Sequence, residues 1–167
     1  DGKNSFSFQA GLYRMICENG LVIATEEFEN YKIRHMGYDF ETLQGVIKDM
    51  IANLDLTVES MNKMKATELT EEQTLDFAKQ LLETRVAGSK NKFGDEAIAD
   101  ILTPQRKQDK GNGLWEVFNR VQENIVEGNF QYLTPGGKLR QARPIKNFRQ
   151  DMNINAKMYE QALTFAA

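Results

Sequence analysis

The spacing of apolar residues predicts a long helical hairpin in the first half of the chain. Between residues 40 and 65 they recur at steps of three and four, the period of one helix face, and Asp39 is a suitable N-cap. Thr70 and Gln73 then match a capping box, and a second apolar stripe that includes Leu75 extends beyond them. Because only a short connection separates the two helices, we expect them to pack antiparallel.

Shorter patterns flank this hairpin. Phe6 and Phe8 alternate with polar residues, and residues 31–35 alternate in the same way, which predicts two strands of a small antiparallel sheet. After the hairpin, Asp95 is a suitable cap for a short helix that ends near Leu102.

Residues 113–129, GLWEVFNRVQENIVEGN, predict an amphipathic helix that ends at a left-handed glycine, Gly128. Its apolar stripe consists of Leu114, Phe118, Val121 and Ile125. The TPGG sequence that follows predicts a loose hairpin with Pro135 and Gly136 at the centre of a type II turn. Apolar residues at helical spacing then predict a last helix over 151–165.

These elements predict an α+β fold, mainly helical, with a small antiparallel sheet and a long helical hairpin. A chain of 167 residues, 41% hydrophobic and 27% charged, is typical of one soluble domain, here residues 1–167. No apolar run approaches the roughly 20 residues of a membrane-spanning helix. The opening DGKNSFSFQ has neither an initiator methionine nor the features of a signal peptide, which indicates the C-terminal portion of a longer protein.

Only one cysteine and one histidine are present, which limits the chemistry available to side chains. No EF-hand or HExxH pattern occurs, so we expect no metal site and no cofactor. Cys17 follows apolar residues, as a buried cysteine does, and this position disfavours a nucleophilic pair with His35. The single cysteine fits a reducing compartment. Gly111 and Gly113 precede a helix N-terminus that can bind an anion, but no Walker A or GxGxxG motif accompanies them.

Charge is distributed unevenly along the chain. The net charge is −3, yet the residues from Thr134 onward contain six basic and two acidic side chains. A basic tract without any acidic residue lies there, and it consists of Lys138, Arg140, Arg143, Lys146 and Arg149. With Tyr132 and Phe148 as surfaces for base stacking, the tract predicts nucleic-acid binding. The alternative is a solvated hairpin whose cations pair with acidic residues elsewhere.

Polar side chains lie beside the apolar stripe of the helix at three- and four-residue spacing. Together with Arg14 they form what we call the polar cluster: Asn119, Arg120, Gln122, Glu123 and Asn124. Arg120 can reach Glu123 or Asn124 on the same helix. Asn and Gln indicate specific hydrogen bonds, either to the loop 103–112 as a structural network or to a ligand. No nucleophile–base pair is present, so we assign no catalytic residue and favour a non-enzymatic protein.

Three stretches of the chain resemble the phage/plasmid-like protein family (domain of unknown function 932). They are LYRMICENGLV (12–22), PQRKQDKGNGLWEVFNRVQENIVEG (104–128) and the pattern TPGG…R…I…N…MY..A (134–162). FNRVQEN is the most specific part, and the likeness covers essentially the whole chain. The family's domain extends upstream, where it has a histidine that is not in this chain. The resemblance implies a mobile-element setting in a bacterial cytoplasm and brings no established activity, substrate or catalytic residue.

Charge polarity and this setting lead to the hypothesis of a protein that binds single- or double-stranded nucleic acid during DNA processing of mobile elements. One alternative is an interaction or structural module whose basic hairpin docks an acidic surface, including a second copy of itself. Another is an enzyme whose site lies partly upstream. Convergence of Arg14, Asn119 and Gln122 on an open pocket would favour the enzyme, and their burial would count against it.

Overall fold

The computed structural model describes most of the C-terminal two thirds of the chain and shorter pieces before it. The described residues are 5–8, 31–34, 44, 45, 48, 58–87 and 89–166. The chain divides into two compact units, residues 1–60 and 61–167. That one domain spans both units stays a prediction.

In the first unit, strand β1 (Ser5–Phe8) pairs antiparallel with strand β2 (Tyr31–Arg34), so that Phe6 lies opposite Ile33. The predicted small antiparallel sheet is therefore present. The described residues of the predicted helix over 40–65 are helical, but most of that helix lies outside them. The packing of the predicted hairpin therefore also falls outside the described residues.

After the helical residues 58–66, the described part of the second unit contains four further α-helices and one β-hairpin. The helices are α1 (Glu71–Val86), α2 (Asp95–Leu102), α3 (Leu114–Glu127) and α4 (Phe148–Phe165), and the hairpin strands are β3 (Gln131–Leu133) and β4 (Leu139–Gln141). A single 3₁₀ turn, Lys107–Asp109, lies between α2 and α3. The α+β class predicted from the sequence is confirmed, and helix predominates.

Local capping follows the sequence in one helix and departs from it in the next. Thr70 Oγ1 accepts from the Gln73 backbone N–H at 3.2 Å, and the Gln73 side chain accepts from the Thr70 N–H at 2.9 Å, which completes the predicted capping box of α1. The N-cap of α2 is Gly94, so the prediction of Asp95 as its cap was wrong. Asp95 is the first helical residue, where its negative charge still stabilises the helix by interacting with the helix dipole.

Helix α3 lies at the centre of the second unit, since α1, α2 and α4 all pack against it. Its predicted apolar stripe is completely buried. Phe118 meets Tyr159 of α4 edge to face with ring centroids 6.1 Å apart, and Phe77 of α1 meets Phe165 at 5.0 Å. Leu75, which the sequence pattern assigned to the buried face of α1, is exposed instead, and Phe77 takes the core position.

The hairpin is held against the C-terminal end of α3. Gly128 ends the helix in the predicted left-handed conformation, with a φ of 73°. The Gln141 side chain donates to the Gly128 carbonyl at 2.6 Å, and the Ile145 N–H donates to the Val126 carbonyl at 2.9 Å. The hairpin is thus fixed to α3 by its backbone and by a neutral side chain, and none of these bonds uses a cation of the basic tract.

The TPGG turn differs from its prediction. The Gly137 N–H donates to the Thr134 carbonyl at 2.9 Å, but the positive φ, 75°, belongs to Gly137 and not to Gly136. A type II turn needs the positive φ at Gly136, so that prediction was wrong. A turn without positive φ at its centre, followed by a left-handed glycine, matches the usual three-residue hairpin with a bulge.

We predict that Gly128→Ala destabilises the protein by more than about 1 kcal/mol, because a left-handed conformation is costly for a residue with a Cβ. That Cβ would also lie only 2.8 Å from the backbone carbon of Arg143. Urea denaturation of the two proteins measures the difference. Gly136→Ala is the matched control, since nothing lies within 4 Å of its Cβ position and its φ is not positive. Equal stability of the two variants would contradict the role given to Gly128.

Candidate functional site

The polar cluster on α3 is directed into the protein. Asn124, Gln122 and Asn119 are 0%, 1% and 2% exposed, and Arg120 is also buried. Glu123 is partly buried. Arg14 lies outside the described residues, so its place relative to the others stays a prediction.

Asn124 of α3 bonds to four residues of the second unit. Its Nδ2 donates to the carbonyls of Ile101 and Thr103 at 2.9 and 2.8 Å, at the C-terminal end of α2. Its Oδ1 accepts from the side chains of Gln105 at 3.1 Å and Asn129 at 2.9 Å. An amide has two donor hydrogens and two acceptor lone pairs, so all of its capacity is used by protein groups.

Arg120 and Glu123 bind the loop that precedes α3. Arg120 Nη1 donates to the carbonyls of Asp109 at 3.1 Å and Gly111 at 2.8 Å. Glu123 accepts from Arg106, whose Nη2 is 2.9 Å from Oε1. Arg120, which the helical spacing places within reach of Glu123 or Asn124, bonds to the loop instead. Burial lowers the pKa of the Arg120 guanidinium, and the negative charges of Asp109 and Glu116 raise it.

The remaining amides of the cluster bond elsewhere. Gln122 Nε2 donates to Asn155 Oδ1 at 2.9 Å, and Asn155 Nδ2 donates to Asp151 at 3.2 Å, so a buried chain of hydrogen bonds links α3 to the start of α4. Asn119 donates to the Trp115 carbonyl one turn earlier. Every bond described for these amides goes to protein, and their side chains are almost completely buried.

The glycines before α3 face acidic side chains. A Cβ placed on Gly113 would meet Oε2 of Glu116, and Oε1 of Glu68 would lie 3.8 Å from it. Glu116 also lies 3.2 Å from the equivalent position on Gly111. Two carboxylates beside this helix N-terminus repel a further anion, so the geometry disfavours phosphate binding there.

The basic tract lies on the surface. All of its side chains are exposed, and among the residues that the structure describes none of them forms an ion pair. Tyr132, which is half-buried, lies directly opposite Arg140 in the hairpin. The side chain of Phe148, the other predicted stacking surface, lies outside the described set. The alternative in which these cations pair with acidic residues elsewhere finds no example within the described part of the chain.

Arg85 of α1 is a candidate residue that the sequence did not indicate. Its Nη2 donates to the Arg143 carbonyl at 3.1 Å. Burial lowers the pKa of its guanidinium, and an electrostatic interaction with the phenol of Tyr132 raises it. In the sequence, Arg85 follows Glu83 and Thr84 in the acidic part of the chain, so only the fold brings it to the hairpin.

The described part of the chain lacks two further features. It contains no group of three or more His, Cys, Asp or Glu side chains placed to hold a metal ion. None of its helices is long and apolar enough to cross a membrane. Cys17 and His35, weighed above as a nucleophilic pair, both lie outside the described residues.

Comparison with known protein families identifies the family to which the chain belongs. The family profile described as "Domain of unknown function (DUF932)" matches residues 1–159. The chain belongs to the DUF932 family. It is 27% identical to the UPF0380 protein YafZ of Escherichia coli K12 over 97% of its own length and 58% of that protein. It is 26% identical to the UPF0380 protein YfjQ of the same strain over 98% of its length and 59% of that protein.

The DUF932 chain therefore spans less than three fifths of the length of these curated relatives. No solved structure matches it. The family description assigns no activity, so any function has to be argued from the described geometry.

We predict that Asn124→Asp destabilises the DUF932 chain by at least about 2 kcal/mol. The substitution keeps the shape but replaces two donors by a buried carboxylate oxygen that faces the carbonyls of Ile101 and Thr103. Thermal or urea unfolding measures the loss. Asn153→Asp, the same change at an exposed position of α4, is the matched control. Equal effects of the two substitutions would show that the buried amide is not a structural centre.

We also predict a pH-dependent effect of Asp151→Asn. Burial raises the pKa of the Asp151 carboxyl, a hydrogen bond from Asn155 lowers it, and the charge of Glu127 raises it. Because the folded state then holds the proton more tightly than the unfolded chain, the stability of the native protein decreases as the pH rises through the folded pKa. The asparagine should therefore increase stability more at about pH 7 than at about pH 3. Glu160→Gln, an exposed change on the same helix, is the control.

Proposed function

We propose that this DUF932 protein binds nucleic acid through the basic tract. The observation that supports the proposal is the exposure of all five cations on a segment that has no acidic residue from Gly128 to Gln150. Phosphate neutralisation by Lys and Arg is the main sequence-independent source of nucleic-acid affinity, because it releases condensed counterions.

The way in which the hairpin is attached to α3 favours a surface that binds nucleic acid over one that is only solvated. The segment from Gly128 to Ile145 is attached to α3 through backbone groups and the Gln141 amide, and the side chains of its cations form no hydrogen bond or ion pair with the described residues that a ligand would have to break. A backbone that is already held by hydrogen bonds loses less conformational entropy on binding. These features support a preformed phosphate-binding surface.

We extend this proposal to DNA processing by phage- or plasmid-related elements in the bacterial cytoplasm. The support for this setting is the resemblance of the three sequence stretches to the phage/plasmid-like family. The polar cluster has a different role in the proposal, because its side chains bond to protein and hold the helix to which the tract is attached.

One observation favours a second function, the docking of an acidic protein or of another copy of the chain. Leu133 and Leu139 lie opposite each other in the hairpin and are 41% and 57% exposed. An exposed apolar pair beside cations is typical of protein interfaces. Nucleic-acid binding is the first proposal because the tract has five exposed cations and the apolar patch has only two leucines.

We predict that Arg140→Glu/Arg143→Glu weakens binding of a fluorescent oligonucleotide at low ionic strength by at least about tenfold. The slope of log affinity against log salt should also decrease in magnitude by about 2, one unit for each lost phosphate contact. Fluorescence anisotropy over a salt series measures both quantities. Lys79→Glu/Lys107→Glu changes the charge equally at exposed positions outside the tract and should have a smaller effect.

Two results would contradict the proposal. One is the absence of salt-sensitive binding by the native protein, and the other is equal binding by the two double variants. Salt-dependent dimerisation seen by light scattering, together with either result, would favour the docking function.

A further inference from the structure

One face of the β-hairpin combines an aromatic ring with cations. Phe130 and Ala142 form a buried pair at its base, and the Ala142 N–H donates to the Phe130 carbonyl at 2.9 Å. Tyr132, two residues after Phe130, lies opposite Arg140, two residues before Ala142. Since side chains two residues apart share a face of a strand, the rings of Phe130 and Tyr132 project to the same side as Arg140. The half-buried Tyr132 is thus seated on the core below it.

Lys138 continues this face toward the tip of the hairpin. The Thr134 N–H donates to the Lys138 carbonyl at 2.9 Å, so these two residues are the next pair after Tyr132 and Arg140. Lys138 is exposed and lies on the same strand face as Arg140. Tyr132 therefore has cations opposite it and beyond it on a single surface.

Arg85 adds a cation from the helix beside the hairpin. Its bond to the Arg143 carbonyl uses Nη2, whereas Nη1 forms no hydrogen bond to any described residue and Nε is buried. This bond places the guanidinium beside the backbone that leaves β4, and the guanidinium interacts electrostatically with the phenol of Tyr132. A guanidinium held by one backbone bond keeps a further donor edge in a fixed direction, which suits a phosphate oxygen.

We infer that Tyr132, Arg140 and Arg85 form a binding site for single-stranded nucleic acid, in which a base stacks on the tyrosine ring and the flanking phosphates contact the two arginines. The inference rests on the proposed function and specifies its ligand. Alternating aromatic and cationic contacts are the usual means of binding single strands without sequence preference, since every base has a face that can stack.

The same geometry disfavours a duplex. Bases in a duplex already stack on their neighbours and offer only their edges in the grooves, so a tyrosine ring gains a base only where the strand is unpaired. A two-stranded ribbon can enter a major groove, but here the ring-bearing face ends at the buried Phe130 and Ala142, and Arg85 of α1 is bonded to the carbonyl of the next residue, Arg143. A single strand can follow such a one-sided surface.

The test compares a short oligothymidylate with a duplex of the same length, by fluorescence anisotropy, for three variants of the full chain. We expect Tyr132→Leu to weaken single-strand binding by at least about fivefold with little change in salt dependence, since it removes stacking but no charge. Tyr132→Phe keeps the ring and should retain native affinity. Arg85→Gln should lower the magnitude of the single-strand salt slope by about 1.

Lys79→Gln removes an exposed charge from the same helix and is the control for Arg85→Gln. Circular dichroism of each variant shows whether it is folded. If Arg85→Gln is folded but binds the single strand weakly, Arg85→Lys, which keeps the charge, should restore the salt slope. Preference for the single strand, lost with Tyr132→Leu and kept with Tyr132→Phe, would support the site.

Two outcomes are distinguishable failures. If the native protein binds both oligonucleotides equally and Tyr132→Leu and Arg85→Gln bind as it does, while Arg140→Glu/Arg143→Glu is weak, the single-strand site is wrong and the proposed function stands. If charge reversal of Arg140 and Arg143 also has no effect, both proposals fail.

Discussion

The second unit depends on one buried amide. Asn124 is fully buried, and its four hydrogen-bonding positions are used by the end of α2, the loop after it and Asn129, two residues past the end of α3. The last carbonyls of a helix have no partner within the helix, and Asn124 supplies donors to those of α2. Burial of an amide is tolerable only with such complete bonding, because an unmet donor or acceptor inside a protein costs about 1–3 kcal/mol.

The position of the basic tract follows from this arrangement. Asn124 and Gly128 lie one turn apart at the end of α3, and the Gly128 N–H donates to the Asn124 carbonyl. Gly128 leaves room for the backbone of Ala142 and Arg143 to cross, and that crossing sets where Arg140 and Arg143 emerge. The buried amides therefore hold the end of α3, and through it the hairpin that carries the exposed cations, without neutralising the charge of those cations.

Charge has different roles on the two sides of α3. Arg120 and Glu123 are used up by the loop before the helix, since Arg120 bonds to its carbonyls and Glu123 pairs with Arg106. The cations after the helix have no such partner within the described residues. Arginine is therefore a structural residue before α3 and remains available for a ligand after it. The difference lies in the backbone carbonyls and carboxylates that surround the side chain.

The local features of the fold could be predicted from sequence. The capping box of α1, the apolar stripe of α3, the glycine that ends it and the exposure of a basic tract all depend on residues close together along the chain, where helical period, capping chemistry and the permitted φ of glycine act directly.

Contacts between distant segments were beyond such patterns. Leu75 and Phe77 both fit an amphipathic helix, and only packing against α4 decides that Phe77 is buried. The partner of Glu123 is 17 residues away and that of Gln122 is 33 residues away, so the spacing of the polar cluster showed that hydrogen bonds were needed without showing to what. By itself, then, the sequence determined helical period, caps and the charge of each segment, which are local properties. The tertiary structure alone decided which polar groups are consumed inside and which cations, Arg85 among them, meet at the hairpin, because burial and electrostatic proximity depend on chain segments that meet only after folding.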